Sequence, residues 1–360
     1  MHSFRIVAAG LLALGLLAQQ QDLPDQIFRA TVNIVAAPVT VTDHDGNYVS
    51  GLKPSDFRLL DNDKPQEIKV DEAYVPISLV VAIQSNWDTS AILPKVQKIG
   101  PLLQGVVTGE QGEVAILAFD GRIQPLQDFT TDGELINKAL LKLRAGNTSS
   151  RMIDATMEGI RMLARRPGDR RRILLLISET RDRASENRTR EALTLAQINN
   201  VLIYTVNINR LVTTFTAKTM APRPDPFPAG ARPLPAGVPP TPDNTRQTVS
   251  GMSNSASFIP LFVEIFKQVK AIFVDNPAEV FTQYTGGREY AFVSEKDLER
   301  AIQRVGLELH SQYLISYNPN NKMEAGFHNI EVEVIDSTGR ARRDLRLVHR
   351  PGYWMAAVPD

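Results

Sequence analysis

Ser78-Leu79-Val80-Val81-Ala82-Ile83-Gln84-Ser85-Asn86-Trp87-Asp88 is the stretch on which the reading of this chain turns. An apolar run that does not alternate is the mark of a central strand in a parallel sheet, covered by helices on both faces. Ligands of such sheets bind beyond the carboxyl ends of the strands. Gln84, Asn86 and Asp88 put oxygen-bearing side chains at every second position of that end. Two later segments, Gly146-Asn147-Thr148 and Ile177-Ser178-Glu179, could add oxygen to the same crevice.

Outward from this strand the pattern alternates between strands and helices. Strands are expected over 78–84, 114–119, 172–178 and 201–206, with a hairpin return over 123–127. Helices are expected over 93–107, 133–143, 154–165 and 188–197. A short strand at 289–292 and a helix over 295–311, with Leu298, Ile302, Val305 and Leu309 on one face, close the domain at 76–311. This order predicts a doubly wound, mostly parallel α/β sheet with helices on both faces and right-handed crossovers. Prolines crowd the interval 221–242, which denies it helix or central strand and makes it an extended insertion. The apolar segment 257–273, interrupted by Glu264, Lys267 and Lys270, reads as buried core.

The flanks read differently. Strands at 28–35 and 39–42, a turn at 43–47, and a hairpin-like unit from 56–60 and 67–70 predict a small β-module over 27–75. Residues 312–358 return to strand patterns at 313–317, 328–334 and 344–348, which could pack with that module.

Met1 to Arg5, the apolar run 6–17, Ala18 and three glutamines form a signal-peptide pattern over 1–18. Its apolar part is shorter than the roughly 20 residues of a membrane span. The 360 residues contain no Cys, which excludes disulfides, thiolate ligands and cysteine nucleophiles. Forty Lys plus Arg balance forty Asp plus Glu, so no general field draws nucleic acid or an anionic membrane. The expectation is an extracytoplasmic protein, secreted, periplasmic or envelope-associated, with no transmembrane span once the signal is removed.

Catalytic signatures are missing. No H-E-x-x-H, G-x-S-x-G or phosphate-cradling loop occurs, and His44, His310, His328 and His349 read as surface or local packing. Asp43-His44-Asp45-Gly46-Asn47 lacks a full calcium-loop series and reads as a β-turn. The basic run 165–172 reads as a solvated connection. Trp87 is a contact residue if exposed and a cap on the sheet if buried.

The sequence of motifs from strand 78–83 through Ala118-Phe119-Asp120, Asp128-Phe129-Thr130-Thr131-Asp132 and Gly146-Asn147-Thr148 to Leu174-Leu175-Leu176-Ile177-Ser178-Glu179 resembles a von Willebrand factor A domain. More narrowly, it resembles the von Willebrand factor A-related proteins of the acidobacterial type. Val41-Thr42-Asp43 through Gly51-Leu52 to Asp56-Phe57, Tyr313 through Tyr317 to Pro319, and Gly352-Tyr353 carry that second likeness. It implies an adhesion-type, non-enzymatic protein with no catalytic residues. It also implies a metal-ion-dependent adhesion site, built from a D-x-S-x-S loop, a Thr and an Asp, in which a partner's carboxylate completes the ion's shell.

The chain departs from that site at its charged positions. Gln84 stands for the first Asp, Asn86 and Asp88 for the two serines, and Ser178-Glu179-Thr180 for T-D-G, whereas Thr148 matches. Asn86, Asp88, Thr148 and Glu179 are the candidate ligands for Mg2+ or another divalent cation. A hard ion tolerates little departure from octahedral geometry, and Glu179 is one methylene longer than Asp. The motif therefore reads as degenerate, and no resident cofactor is expected. The expected function is protein binding, through a face made of Gln84, Asn86, Trp87, Asp88, Thr148 and Glu179. The alternative is a structural or assembly component of the cell envelope that acts through the β-module's edge strands.

Overall fold

The computed structural model describes residues 34–71, 75–179, 181–208, 276–324 and 326–355. The expected signal, the proline-rich insertion and the apolar segment 257–273 lie outside these residues. In chain order come β1 (Val35–Thr42), β2 (Phe57–Asp61), β3 (Lys64–Pro65), β4 (Ile68–Asp71), β5 (Ile77–Gln84), α1 (Leu93–Val96), α2 (Gly100–Leu102), β6 (Glu113–Phe119) and β7 (Ile123–Thr130). Next are α3 (Gly133–Leu141), α4 (Met152–Ala164), β8 (Arg171–Ser178), α5 (Thr189–Ile198), β9 (Val201–Ile208) and α6 (Pro277–Thr285). The last are β10 (Glu289–Phe292), α7 (Glu295–Ser311), β11 (Tyr313–Tyr317), β12 (Gly326–Val334), β13 (Arg346–Val348) and β14 (Gly352–Met355).

The absence of alternation in β5 has a direct cause, because all eight of its residues are buried. Leu79, Val81 and Ile83 pack on one face with α1, α2 and α7, while Val80 and Ala82 pack on the other with α4, α5 and α6. Full burial of each Leu, Val or Ile side chain among them stabilises by about 1.5–3 kcal/mol. The sheet order is β10-β9-β8-β5-β6-β7, parallel except for the antiparallel edge β7. The fold is therefore the mostly parallel α/β sheet with helices on both faces.

The single helix expected over 93–107 is instead broken. α1 and α2 each carry a proline in their first turn, and α2 passes into a π-helical turn, Leu103–Thr108. Pro101 has no N–H to continue the ladder from α1, so the chain restarts there. The hairpin expected from 56–60 and 67–70 also does not form. β2 pairs with β3 and β12, whereas β4 pairs with β11 in a different sheet.

The two remaining sheets have the orders β13-β1-β11-β4 and β14-β12-β2-β3. Residues from both, including Val39, Val41, Leu59, Ile315 and Val332, share one apolar core, so the strands flanking the α/β region interleave into a sandwich. At its centre the buried Asp61 accepts the hydroxyls of Tyr317 and Tyr353, each at 2.8 Å. His328 lies 2.6 Å from Asp61 through Nδ1 and 2.6 Å from the Glu324 carbonyl through Nε2, so both ring nitrogens are engaged.

A second buried polar cluster joins β1 to the α/β sheet. Glu308 on α7 has no exposed surface and accepts from Thr40 Oγ1 (3.1 Å), Arg288 Nε (3.0 Å) and the Tyr290 hydroxyl (2.8 Å). Gln312 donates to Thr40 Oγ1 (3.2 Å) and to the Tyr204 hydroxyl (3.0 Å), and accepts from Arg171 Nη2 (2.6 Å). Burial lowers the Arg171 guanidinium to about 10.

Candidate functional site

At the carboxyl end of β5 the chain turns into a short 3-10 segment, Trp87–Thr89. Thr89 shapes that turn, because its hydroxyl donates to the carbonyls of Gln84 (3.1 Å) and Asn86 (3.0 Å). The 146–149 loop lies beside it, where Gly146 N donates to Ser85 O (2.7 Å) and Trp87 N donates to Asn147 O (2.8 Å). Asp120, at the end of β6, holds that loop from below by accepting from Asn147 N at 2.9 Å. A Cβ on Gly146 would stand 1.9 Å from Asp120 Oδ2, so only glycine lets the loop sit this close.

The amide orientations in the crevice follow from one backbone donor. Glu179 N–H can only donate, and it meets Gln84 Oε1 at 2.9 Å. Gln84 Nε2 must then face the other way, donating to Asn86 Oδ1 at 3.0 Å. Asn86 Nδ2 in turn faces Asp88 Oδ2 and the Thr148 carbonyl, both at 3.5 Å. Both amide oxygens are thereby spent on donors inside the crevice, while Asn86 Nδ2 faces Asp88 and Gln84 Nε2 also stands 3.5 Å from Glu179 Oε2.

Burial separates the expected contact residues into two groups. Gln84 and Asn86 are 0% exposed and Glu179 is 2% exposed, so they lie beneath the surface. The physical reason is the relay, which draws all three inward under the turn. Trp87 and Asp88 are half-buried, and Thr148 is exposed.

Sequence reasoning missed the role of Arg183. Its Nη1 donates to Asp88 Oδ2 at 2.8 Å, and its Nη2 stands 3.8 Å from Glu179 Oε2. The loop that carries it is docked on α4. Arg183 N and Ala184 N donate to the Ser150 carbonyl (3.0 and 3.1 Å), and the Asp182 carboxylate accepts from Ile153 N (3.1 Å) at the helix's amino end. Asp154 accepts from Glu186 N and Asn187 N, each at 3.0 Å, and from Arg151 Nε at 2.7 Å. Burial pushes the Asp154 carboxyl up, but the bonds from Asn187, Glu186 and Arg151 outweigh it and hold it below the ordinary value. A sequence signal did exist, since Arg183 lies four residues after Glu179 in a loop leaving a central strand.

This donor set does not fit a hard divalent cation. Such an ion needs converging oxygens. Here the Gln84 and Asn86 oxygens face donors within the protein, and the Asp88 and Glu179 carboxylates face one guanidinium. Among the described residues no group of three or more His, Asp or Glu is placed to hold a metal. No hydrogen bond joins a Ser or Thr hydroxyl to a histidine among them either.

No protein-family model matches the chain, and no curated protein matches it in sequence. Parts of the chain align with solved structures. The von Willebrand factor domain of the type V pili tip protein Mfa5 from Porphyromonas gingivalis is 17% identical, over 29% of this chain and 38% of that one, with a TM-score of 0.26. The conserved hypothetical protein BatB from Bacteroides thetaiotaomicron is 10% identical, over 65% and 98%, with a TM-score of 0.38. Proximal thread matrix protein 1 from the mussel byssus is 8% identical, over 69% and 49%, with a TM-score of 0.40. This chain thus spans less than two thirds of the Mfa5 and mussel chains that it matches. These likenesses concern the fold and assign no residue a role.

Proposed function

We propose that the chain is an exported, non-enzymatic interaction protein of the von Willebrand factor A-related type. It takes hold of a protein partner through the loops at the carboxyl edge of its α/β sheet, without strict dependence on a metal ion. The single observation that carries this reading is a set of polar contacts built at that edge. The relay through Gln84 and Asn86, the docked 182–187 loop and the Asp120-held 146–149 loop present Trp87, Asp88, Thr148 and Arg183 on a prearranged surface. Prearranged groups bind with less ordering cost than mobile ones. Export rests on the leader pattern at 1–18.

Strand addition at the sandwich is the weaker reading. Its edge strands β13, β4, β14 and β3 have three, four, four and two residues, and short edges discourage pairing with another chain. The test is partner capture from an envelope extract of the source cells, with the immobilised mature chain as bait. The Trp87→Ala and Thr148→Arg variants, each checked by melting to be folded, are expected to lose captured partners. Capture that survives both changes but disappears when an edge strand is blocked would transfer the function to the sandwich.

A further inference from the structure

We propose that Arg183 is a built-in replacement for a divalent cation in this crevice, and that its guanidinium, rather than an ion, receives a carboxylate from the partner. The inference rests on the partner-face reading for its biological meaning, but its geometry stands alone. Two carboxylate oxygens from different parts of the chain, Asp88 Oδ2 and Glu179 Oε2, lie 2.8 and 3.8 Å from the two terminal nitrogens of one side chain. Glu179 is 3% exposed in its side chain, a position where a carboxylate needs a nearby positive charge. Arg183 stands near it as one such charge, and Gln84 Nε2 faces the same oxygen at 3.5 Å.

Its placement is independent of those two contacts. The 182–187 loop is docked on α4 through Asp182, Asp154 and the Ser150 carbonyl, none of which uses the guanidinium. The Arg183 side chain is nonetheless 40% exposed, and a guanidinium carries five N–H donors in a planar fork suited to carboxylates. Asp88, which it contacts, follows half-buried Trp87 in the chain, and Asn86 Nδ2 at the same turn stands 3.5 Å from the carbonyl of exposed Thr148. The recognised group is therefore an acidic side chain or chain terminus of a protein.

Two measurements on the mature chain test this without knowledge of the partner. In the first, Mn2+ is titrated into the natural chain and into Arg183→Ala, followed by calorimetry and water-proton relaxation. The natural chain is expected to show no saturable binding, whereas Arg183→Ala, with two carboxylates facing one gap, gains about tenfold or more in Mn2+ affinity. Asp88→Asn in the same background is expected to abolish the gain. Arg183→Gln serves in the same way if the alanine variant fails to fold. Saturable Mn2+ binding by the natural chain that Asp88→Asn removes overturns the proposal. So does the lack of any gain in both folded variants.

In the second, fluorescein-labelled poly-glutamate is titrated in EDTA. Arg183→Gln is expected to weaken its binding severalfold, and Arg165→Gln, in the exposed basic connection, to leave it unchanged. Equal effects of the two substitutions, or no binding to the natural chain, overturn the carboxylate assignment. Failure in these assays removes Arg183 from its role and leaves the partner-face reading to the capture experiment, which alone decides it.

Discussion

Replacing Glu308 by Gln should loosen the join between the sandwich and the α/β sheet. The carboxylate is fully buried and accepts from Thr40, Arg288 and Tyr290, so its amide counterpart keeps one acceptor oxygen and turns an N–H group toward at least one donor. Removing one partner of a buried charge pair costs about 3–5 kcal/mol. Arg288 is 34% exposed and recovers part of its hydration, which brings the expected loss below that range, to about 2–3 kcal/mol. For a chain of this size that corresponds to a fall in melting temperature of about 5–10 °C. The two tryptophans make the assay specific, because Trp87 sits at the edge of the α/β sheet and Trp354 in β14 of the sandwich. Urea unfolding of Trp87→Phe and Trp354→Phe chains reports the two halves separately. Their midpoints should coincide with Glu308 present and separate in Glu308→Gln. Coincident midpoints, displaced by less than about 0.5 kcal/mol, would refute the claim that this cluster couples the halves.

Other outcomes follow from the same structure. Burial raises the hydroxyl pKa values of Tyr204, Tyr290, Tyr317 and Tyr353 above the unfolded value near 10. Their contribution is complete below that value and is lost as pH rises beyond it. Arg171 and Arg350, lowered to about 10, oppose this in the same alkaline range, but the four tyrosines outweigh two arginines. The urea midpoint should therefore fall between about pH 9 and about pH 11, and a flat or rising midpoint contradicts it. Asp154→Asn should free the loop that carries Arg183 at a cost of about 1–3 kcal/mol, read as faster amide hydrogen exchange at 183–187. The lowered Asp154 pKa gives the same loop a contribution that is present above the ordinary carboxylate value and lost as pH falls through the folded one. Gly146→Ala forces a methyl group against Asp120 and should destabilise by about 1–3 kcal/mol. Gly168→Ala, with nothing within 4 Å of the added carbon, is the control for that thermal melt.

Local chemistry was readable from the residues, and long-range pairing was not. β5 announced itself because both of its faces are covered, and α7 because Leu298, Ile302, Val305 and Leu309 recur at helical spacing; the capping box of Ser294 and Asp297 ahead of them went unread. α6 was overlooked although its signals were present, with Asn276 capping, a proline in the first turn and a left-handed Gly286 at the end. The pairing of β2 with β12 and of β4 with β11 leaves no trace in periodicity, since each strand alternates as it would in a hairpin. The crevice was legible as an address, from Gln84 through Asp88, but its inner charge balance depends on a contact between residues 95 positions apart. That separation hides the contact of Arg183 with Asp88 from local spacing, which shows only its four-residue step from Glu179.

The interleaved sandwich also dictates an order of events as the chain is made. β1 pairs through Val35 with Tyr317, and β2 pairs through Phe57 with Val334, so the first strands to be synthesised wait for the last. The α/β sheet, whose strands are nearer neighbours along the chain, can close while β1 and β2 still lack their partners. During that interval the mostly buried β1 and the alternating β2 expose apolar side chains and unpaired backbone groups, which is the condition for aggregation. A chain that ends before Tyr313 keeps that exposure permanently and should accumulate as insoluble protein, even with every residue of the crevice in place.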